Sequence, residues 1–236
     1  EILPYTLRHY LTLASRIVVH DGLSTDGTRG IAQKLGAEVE LWDTEGRLND
    51  QLARELKNTC WRGTDADWVI VVDADELIYF PEGVHTLDRY EEAKIAVVKP
   101  KGWEMYSDAF PTHDGHIYDG IKYGATDEKW YSKPVLFSPR RVWQMQFTAG
   151  AHTCRYITHG SREWRENPAA PTHPLTYLLH YHQIGTIERL AAKYDATRQR
   201  LAQINITNRW GNFAPVLKHA QDKRALILPR LERVIP

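Results

Sequence analysis

"WVIVVDADELIYF", residues Trp68 to Phe80, sets an apolar run against three acids in four positions. Val69, Ile70, Val71 and Val72 show no alternation, which is the pattern of a strand buried on both faces. Asp73, Asp75 and Glu76 follow at once. Strands covered on both faces belong to parallel sheets, which bind ligands at the carboxyl ends of their strands. Carboxylates one residue apart at such an end can converge on a hard cation beside a substrate's phosphates.

The flanking sequence alternates by period. "SRIVVHD" (Ser15 to Asp21) and "AEVELWD" (Ala37 to Asp43) read as strands. "DGTRGIAQKLG" between them reads as a helix, with Asp26 as N-cap and Gly36 as its stop. "RLNDQLARELKNTCW" places Leu48, Leu52 and Leu56 on one helical face, and a first helix begins near Pro4. Strand and helix in alternation imply right-handed crossovers and a parallel sheet.

Beyond Pro81 the texture changes. "KIAVVKP" (Lys94 to Pro100) reads as a strand, and "KPVLFSP" and "RVWQMQF" as two strands around a turn, which makes the sheet mixed. "LTYLLHYHQ" (Leu175 to Gln183) reads as a last strand, whereas residues 102–130 show no clear period. From Ile184 onward the chain is helical by composition, clearest in "ERLAAKYDATRQRLAQI" (Glu188 to Ile204).

Thirty basic and thirty acidic residues cancel, so no global field draws the chain to nucleic acid. Cys60 and Cys154 form no metal-spacing motif and read as free thiols in a reducing compartment. No apolar stretch approaches the length of a membrane span, so the expectation is a cytoplasmic protein, or one peripheral at a membrane.

A second turn carries chemistry. "HDGLSTDGT", His20 to Thr28, lies between a predicted strand and helix, where backbone N–H groups and an acid can hold a nucleotide. With "VVDADE" downstream, this order resembles a glycosyltransferase of the GT-A fold, close to family 2, whose members carry D-x-x-S-x-D-G-T and then D-x-D. The likeness is clear over roughly Glu1 to Phe80. It runs on more loosely through "GWEMYSDAFP", "WYSKPVLFSP", "GAHTC" and "LLHYHQ".

The resemblance implies a Rossmann-like three-layer α/β fold with a mixed, mainly parallel central sheet. Residues 1–182 would form the core: 1–100 the nucleotide-sugar half, 101–182 the acceptor half. Residues 183–236 would be a helical extension. It implies metal-dependent transfer of a sugar from a nucleotide diphosphate sugar to a hydroxyl of a saccharide or glycoconjugate. Asp21, with Ser24 in its turn, matches the acid contacting the base. Asp75 matches the ligand of Mn²⁺ or Mg²⁺, and Asp73 the acid facing ribose or the metal's water shell. A histidine often joins the metal from a later strand, and both His152 and His180 fit that pattern. Lys133 and Lys193 are candidate diphosphate partners.

An inverting transferase also needs a carboxylate base near the acceptor hydroxyl. The irregular segment offers Glu104, Asp108, Asp114, Asp119, Asp127 and Glu128, of which Asp119 and Asp127 are the nominees by position. Trp103, Tyr106, Tyr118, Tyr123, Trp130 and Tyr131 in the same segment could stack on sugar rings. The chain departs from the family in two respects: it starts in what should be the helix after the first strand, and it lacks the usual Glu-Asp pair. Two rivals remain: a non-catalytic GT-A-like domain that binds a glycan or a partner, and a haloacid dehalogenase-type phosphohydrolase. The second leaves "DGLSTDGT" unexplained.

Overall fold

Pro4 sits in the first turn of helix α1 (Leu3–Tyr10), where its missing N–H is not needed. The computed structural model describes residues 1–127, 130–166, 173–210 and 216–236. After α1 come β1 (Val18–Asp21), α2 (Thr28–Lys34), β2 (Glu38–Leu41), α3 (Asp50–Thr59) and β3 (Val69–Ile70), the alternation read from the sequence. Then follow β4 (Glu76–Tyr79), α4 (Thr86–Glu92), β5 (Val97–Val98), β6 (Pro100–Ser107), α5 (Ile117–Gly120) and β7 (Tyr123–Thr126). The chain continues through β8 (Leu136–Phe137), β9 (Val142–Phe147), β10 (Cys154–Thr158), β11 (Arg165–Glu166) and β12 (His173–Ile184). Helices α6 (Ile187–Gln199), α7 (Gln203–Thr207) and α8 (Val216–Ile227) precede a last strand, β13 (Glu232–Arg233).

The fold is mixed α/β with partly parallel sheets. β1 pairs with β2, and β6 with β12, in parallel. The remaining named pairs are antiparallel, so in the mixed sheets the parallel character expected to dominate is confined, among the named pairs, to these two. The central sheet runs β13-β7-β6-β12-β4. Leu178 and Leu179, adjacent on β12, enter different apolar clusters because successive side chains point to opposite faces.

Several local expectations are corrected. The run Trp68–Val72 is mostly half-buried, with only Val71 in the core, because β3 is short and pairs with β8 alone. Among the described residues β1 and β3 belong to separate sheets. β8 and β9 are not a hairpin: β8 joins β3 and β5, while β9 pairs with β10. The N-cap of α2 is Gly27 at φ 82°, and Asp26 instead accepts from the Thr28 N–H at 3.2 Å. Gly36 does end that helix, at φ 88°, with the Ala37 N–H bonded to the Ala32 carbonyl. The final helical pattern breaks after Gln199, since Leu201 forms a bridge with Leu48, which therefore lies outside α3. The 182/183 boundary falls inside β12, and the C-terminal helices end in β13, which pairs with β7.

Helix α1 holds the acidic turn in place. Thr6 Oγ1 donates to the Ala74 carbonyl, Tyr10 Oη donates to the Glu76 carbonyl at 3.0 Å, and the Ile78 N–H donates to Tyr10 Oη at 3.0 Å. His9 Nε2 donates to the Ile78 carbonyl at 2.6 Å, which sets its tautomer, because a carbonyl can only accept. No helix of the described residues is long and apolar enough to cross a membrane.

A Cβ on Gly102 would stand 1.9 Å from the Tyr131 carbonyl carbon, so Gly102→Ala should lose about 3 kcal/mol or more in urea unfolding. Gly30→Ala, in α2 with nothing within 4 Å, should gain about 0.5–1 kcal/mol. Burial pushes His9 down to about 4, with His116 adding to the drop. The unfolded chain takes up that proton near 6.5, so the stability is whole above about pH 6.5 and is lost as pH falls towards 4. His9→Gln should remove about 3 kcal/mol of that acid dependence, read as the difference between the two unfolding profiles across this window.

Candidate functional site

The register of β6 against β12 breaks between His180 and Gln183. The break leaves the backbone N–H groups of His182 and Gln183 without ladder acceptors, and Glu104 Oε1 accepts both, at 3.1 and 3.2 Å. Its other oxygen accepts from His180 Nδ1 at 3.1 Å. Glu104 is 3% exposed, so this carboxylate is bonded from inside the sheet. It is a positioning group rather than the loop acid suggested by its position in the sequence.

His180 and His182 are two apart on a strand, so both leave the same side of β12, while Tyr181 enters the core. Both reach Asp75: His180 Nε2 lies 3.7 Å from Oδ1, and His182 Nδ1 lies 3.4 Å from Oδ2. Lys193, on α6, places Nζ 3.2 Å from Asp75 Oδ2 and 3.3 Å from His182 Nδ1. Burial opposes the charge on Asp75, but His180, His182 and Lys193 outweigh it and hold the carboxyl well below its usual range. Burial likewise opposes protonation of His180, yet Glu104 and Asp75 raise it to about 9. Burial lowers His182, leaving it the more neutral of the two.

Asp73 has its own cations. Lys57 Nζ, on α3, is 2.6 Å from Oδ1, and Lys133 Nζ is 3.7 Å from Oδ2. Lys133 is also paired with buried Glu76, whose Oε2 accepts from the Asp73 N–H at 3.1 Å. Partial burial works against the Asp73 charge, but Lys57 and Lys133 keep its carboxyl below the ordinary value. Burial works against the charge on Lys133, but Glu76 and Asp73 raise its pKa.

Asp75, His180 and His182 each offer one ligand atom, all within 4.8 Å of one another. A buried carboxylate behind one ligand histidine, as Glu104 stands behind His180, is the usual outer partner of a metal-binding imidazole. The donor set therefore fits a divalent cation. A cavity of about 320 Å³ opens beside it, lined by Phe110, Tyr181, Ile184, Arg189 and Lys193 with the first two residues of the chain. The buried Tyr181 hydroxyl has no hydrogen-bond partner among the described residues.

The structure thus brings Asp73, Asp75, Lys133, His180 and Lys193 together, and adds Lys57, Glu76, Glu104 and His182. The i, i+2 spacing in "LLHYHQ" carried the signal for His182. His152 stays outside the Asp75 cluster, edge-on to exposed Trp130 at 5.4 Å between ring centroids. Burial, with Lys133 nearby, lowers it to about 4, and its buried Nδ1 has no hydrogen-bond partner among the described residues.

The remaining candidates lie apart. Asp21 is 3% exposed, and its Oδ2 accepts from the Ser24 N–H at 3.1 Å and lies 3.4 Å from Arg29 Nε. As it stands, that carboxylate faces its own turn rather than a base. Asp119 is exposed and accepts from the His116 N–H at 2.8 Å, completing the capping box whose N-cap is His116 at the start of α5. Asp127 closes β7, and its charge, with that of Glu104, bears on Tyr131, whose ring centroid is 6.2 Å from that of His180. Asp114 pairs with Arg8, and Asp108 with Arg224. Glu128 lies outside the described residues. Of the aromatic residues, Trp103 is core, while Trp130 and Tyr123 are half exposed.

Removing Glu104 leaves two backbone donors and His180 without their acceptor. Glu104→Ala should therefore cost about 3–5 kcal/mol in urea unfolding, and Glu104→Gln, which keeps an acceptor, less.

Compared with known proteins, the chain matches no protein-family model and no curated protein.

Proposed function

We infer that the protein is a metal-dependent glycosyltransferase that takes its sugar from a nucleotide diphosphate sugar. One observation carries the reading: at the end of β3, the carboxylates of Asp73 and Asp75 are interleaved with Lys57, Lys133, Lys193 and His180. Carboxylates and imidazoles suit a cation, and ammonium groups suit the oxygens of a diphosphate. A site for a metal-bound diphosphate needs both sets within reach of one ligand.

Asp75, His180 and His182 would hold the metal. Two imidazoles beside one carboxylate favour Mn²⁺ over Mg²⁺, which prefers oxygen ligands. The cation would neutralise charge on the departing diphosphate. Lys57, Lys133 and Lys193 release their carboxylates in part and draw the phosphate oxygens in, so the protein's own ion pairs are exchanged for substrate ion pairs. Glu104 keeps His180 aimed at Asp75 throughout.

Asp127 is the better placed base, because Tyr131 links it to the His180 side, whereas Asp119 is engaged as a helix cap. The cavity beside Lys193 and Tyr181 is the place for a saccharide hydroxyl. A non-catalytic domain that binds a glycan or a partner is the second reading, favoured by the closure of Asp21, the acid matched to the nucleotide base, on its own turn.

The test is calorimetric titration of UDP, GDP and dTDP with Mn²⁺ and, separately, with a chelator. One nucleotide should bind only with Mn²⁺, and Asp75→Asn should abolish that binding while leaving the unfolding profile cooperative. Equal affinity in Asp75→Asn, or no binding of any nucleotide, would overturn the reading. Turnover of the matching sugar nucleotide separates the enzyme from the binding domain.

A further inference from the structure

A groove of about 500 Å³, lined by no residue of the acidic turn, lies where the chain leaves α3 and runs towards the start of β3. Trp61, Arg62 and Thr64 form one wall, and Trp143, Gln144 and His159 the other. None of these residues enters the site described above.

Trp143 is 62% exposed, and the cause is local. Across β9 and β10, Thr158 faces Val142 and Ile157 faces Gln144, so Trp143 is the extra residue of a β-bulge. A bulge re-aims the side chain it carries, here outward from a strand whose Val142, Met145 and Phe147 are core. The indole stands edge to face with His159, 5.6 Å between ring centroids, which holds one face of the platform.

The opposite wall has an unmet donor. Trp61 is 7% exposed, packed against Phe137 at 5.1 Å, and its buried Nε1 has no hydrogen-bond acceptor among the described residues. A buried N–H without an acceptor is costly unless a ligand supplies one. His159 Nε2 donates to the Pro139 carbonyl at 3.2 Å, so its Nδ1 is left as an acceptor. Arg62 makes no ion pair among the described residues, and Gln144 offers both donor and acceptor groups.

We propose that this groove is a second saccharide-binding site, taking a neutral hexopyranose chain with one ring stacked on Trp143. Sugar rings present an apolar C–H face to an indole and a rim of hydroxyls that both donate and accept. The groove matches that pattern: one exposed aromatic platform, the buried Trp61 N–H without an acceptor behind its wall, the His159 acceptor, the Arg62 donors and the mixed Gln144 amide. A proline-rich peptide would call for a run of exposed aromatic ridges, whereas Trp143 is the only exposed Trp, Tyr or Phe lining this groove among the described residues. The groove would hold the body of a long glycan while chemistry proceeds elsewhere on the protein.

The experiment uses the full chain, labelled with ¹⁵N, and reads the tryptophan indole N–H resonances in chelator, so that it is independent of metal and nucleotide. Maltohexaose, cellohexaose, chitohexaose and decaproline are added in turn, with Trp61→Phe and Trp143→Phe assigning the two signals. One hexasaccharide should shift both resonances saturably. Trp143→Ala should weaken that binding about tenfold or more, with the other indole signals in place to show that the fold is kept. Gln144→Ala should weaken it less. No shift with any hexasaccharide, a response to decaproline alone, or unchanged affinity in Trp143→Ala would overturn the proposal. Because nucleotide binding is measured separately, failure here leaves the diphosphate reading standing, and the reverse also holds.

Discussion

The carboxylate of Glu104 at the break in the β6–β12 ladder is the constraint on which the rest of the site depends. A parallel pair that loses register leaves backbone N–H groups unpaired inside a sheet, and buried donors demand acceptors. Glu104 meets two of them and grips His180 with its second oxygen. A defect in strand pairing thereby becomes the device that orients a histidine at Asp75. Sheet geometry and site chemistry are the same interaction.

The acidic turn needs a second anchor because its own strand is short. Helix α1 supplies it with Thr6, His9 and Tyr10, which bond to the backbone at Ala74, Glu76 and Ile78. With the main chain held on one side by α1 and on the other by β12, Asp73 and Asp75 are presented to different sets of cations. Asp73 meets Lys57 and Lys133, and Asp75 meets Lys193 and the histidines. Overall neutrality conceals this local order. Equal numbers of acids and bases fix the net charge, while the field that a ligand meets depends on which of them converge in one cavity.

The two aromatic regions differ for a physical reason. Trp103 lies within a central strand and fills the core, where its indole serves packing. Trp143 lies at a bulge, opposite no partner on β10, and its side chain is exposed while Val142 and Met145 on either side of the bulge are core. Composition treats the two tryptophans alike, and only strand register tells them apart.

By itself, the sequence determined the alternation of the first seventy residues, the helix stop at Gly36 and the acids at the end of β3, because these follow from local periodicity and backbone preference. It also placed Lys133, Lys193 and His180 among the candidates. His182 was legible in the two-residue spacing of "LLHYHQ", since strand neighbours two apart share a face. The tertiary structure alone decided that Glu104 turns inward, that Lys57 reaches Asp73, and that Asp21 closes on its own turn while Asp119 caps a helix. It alone decided that β6 lies beside β12, some seventy residues away, with their register broken at His180. Such contacts join residues distant in sequence, and their partners are chosen by the burial of charge and the pairing of backbone groups, which no local pattern encodes.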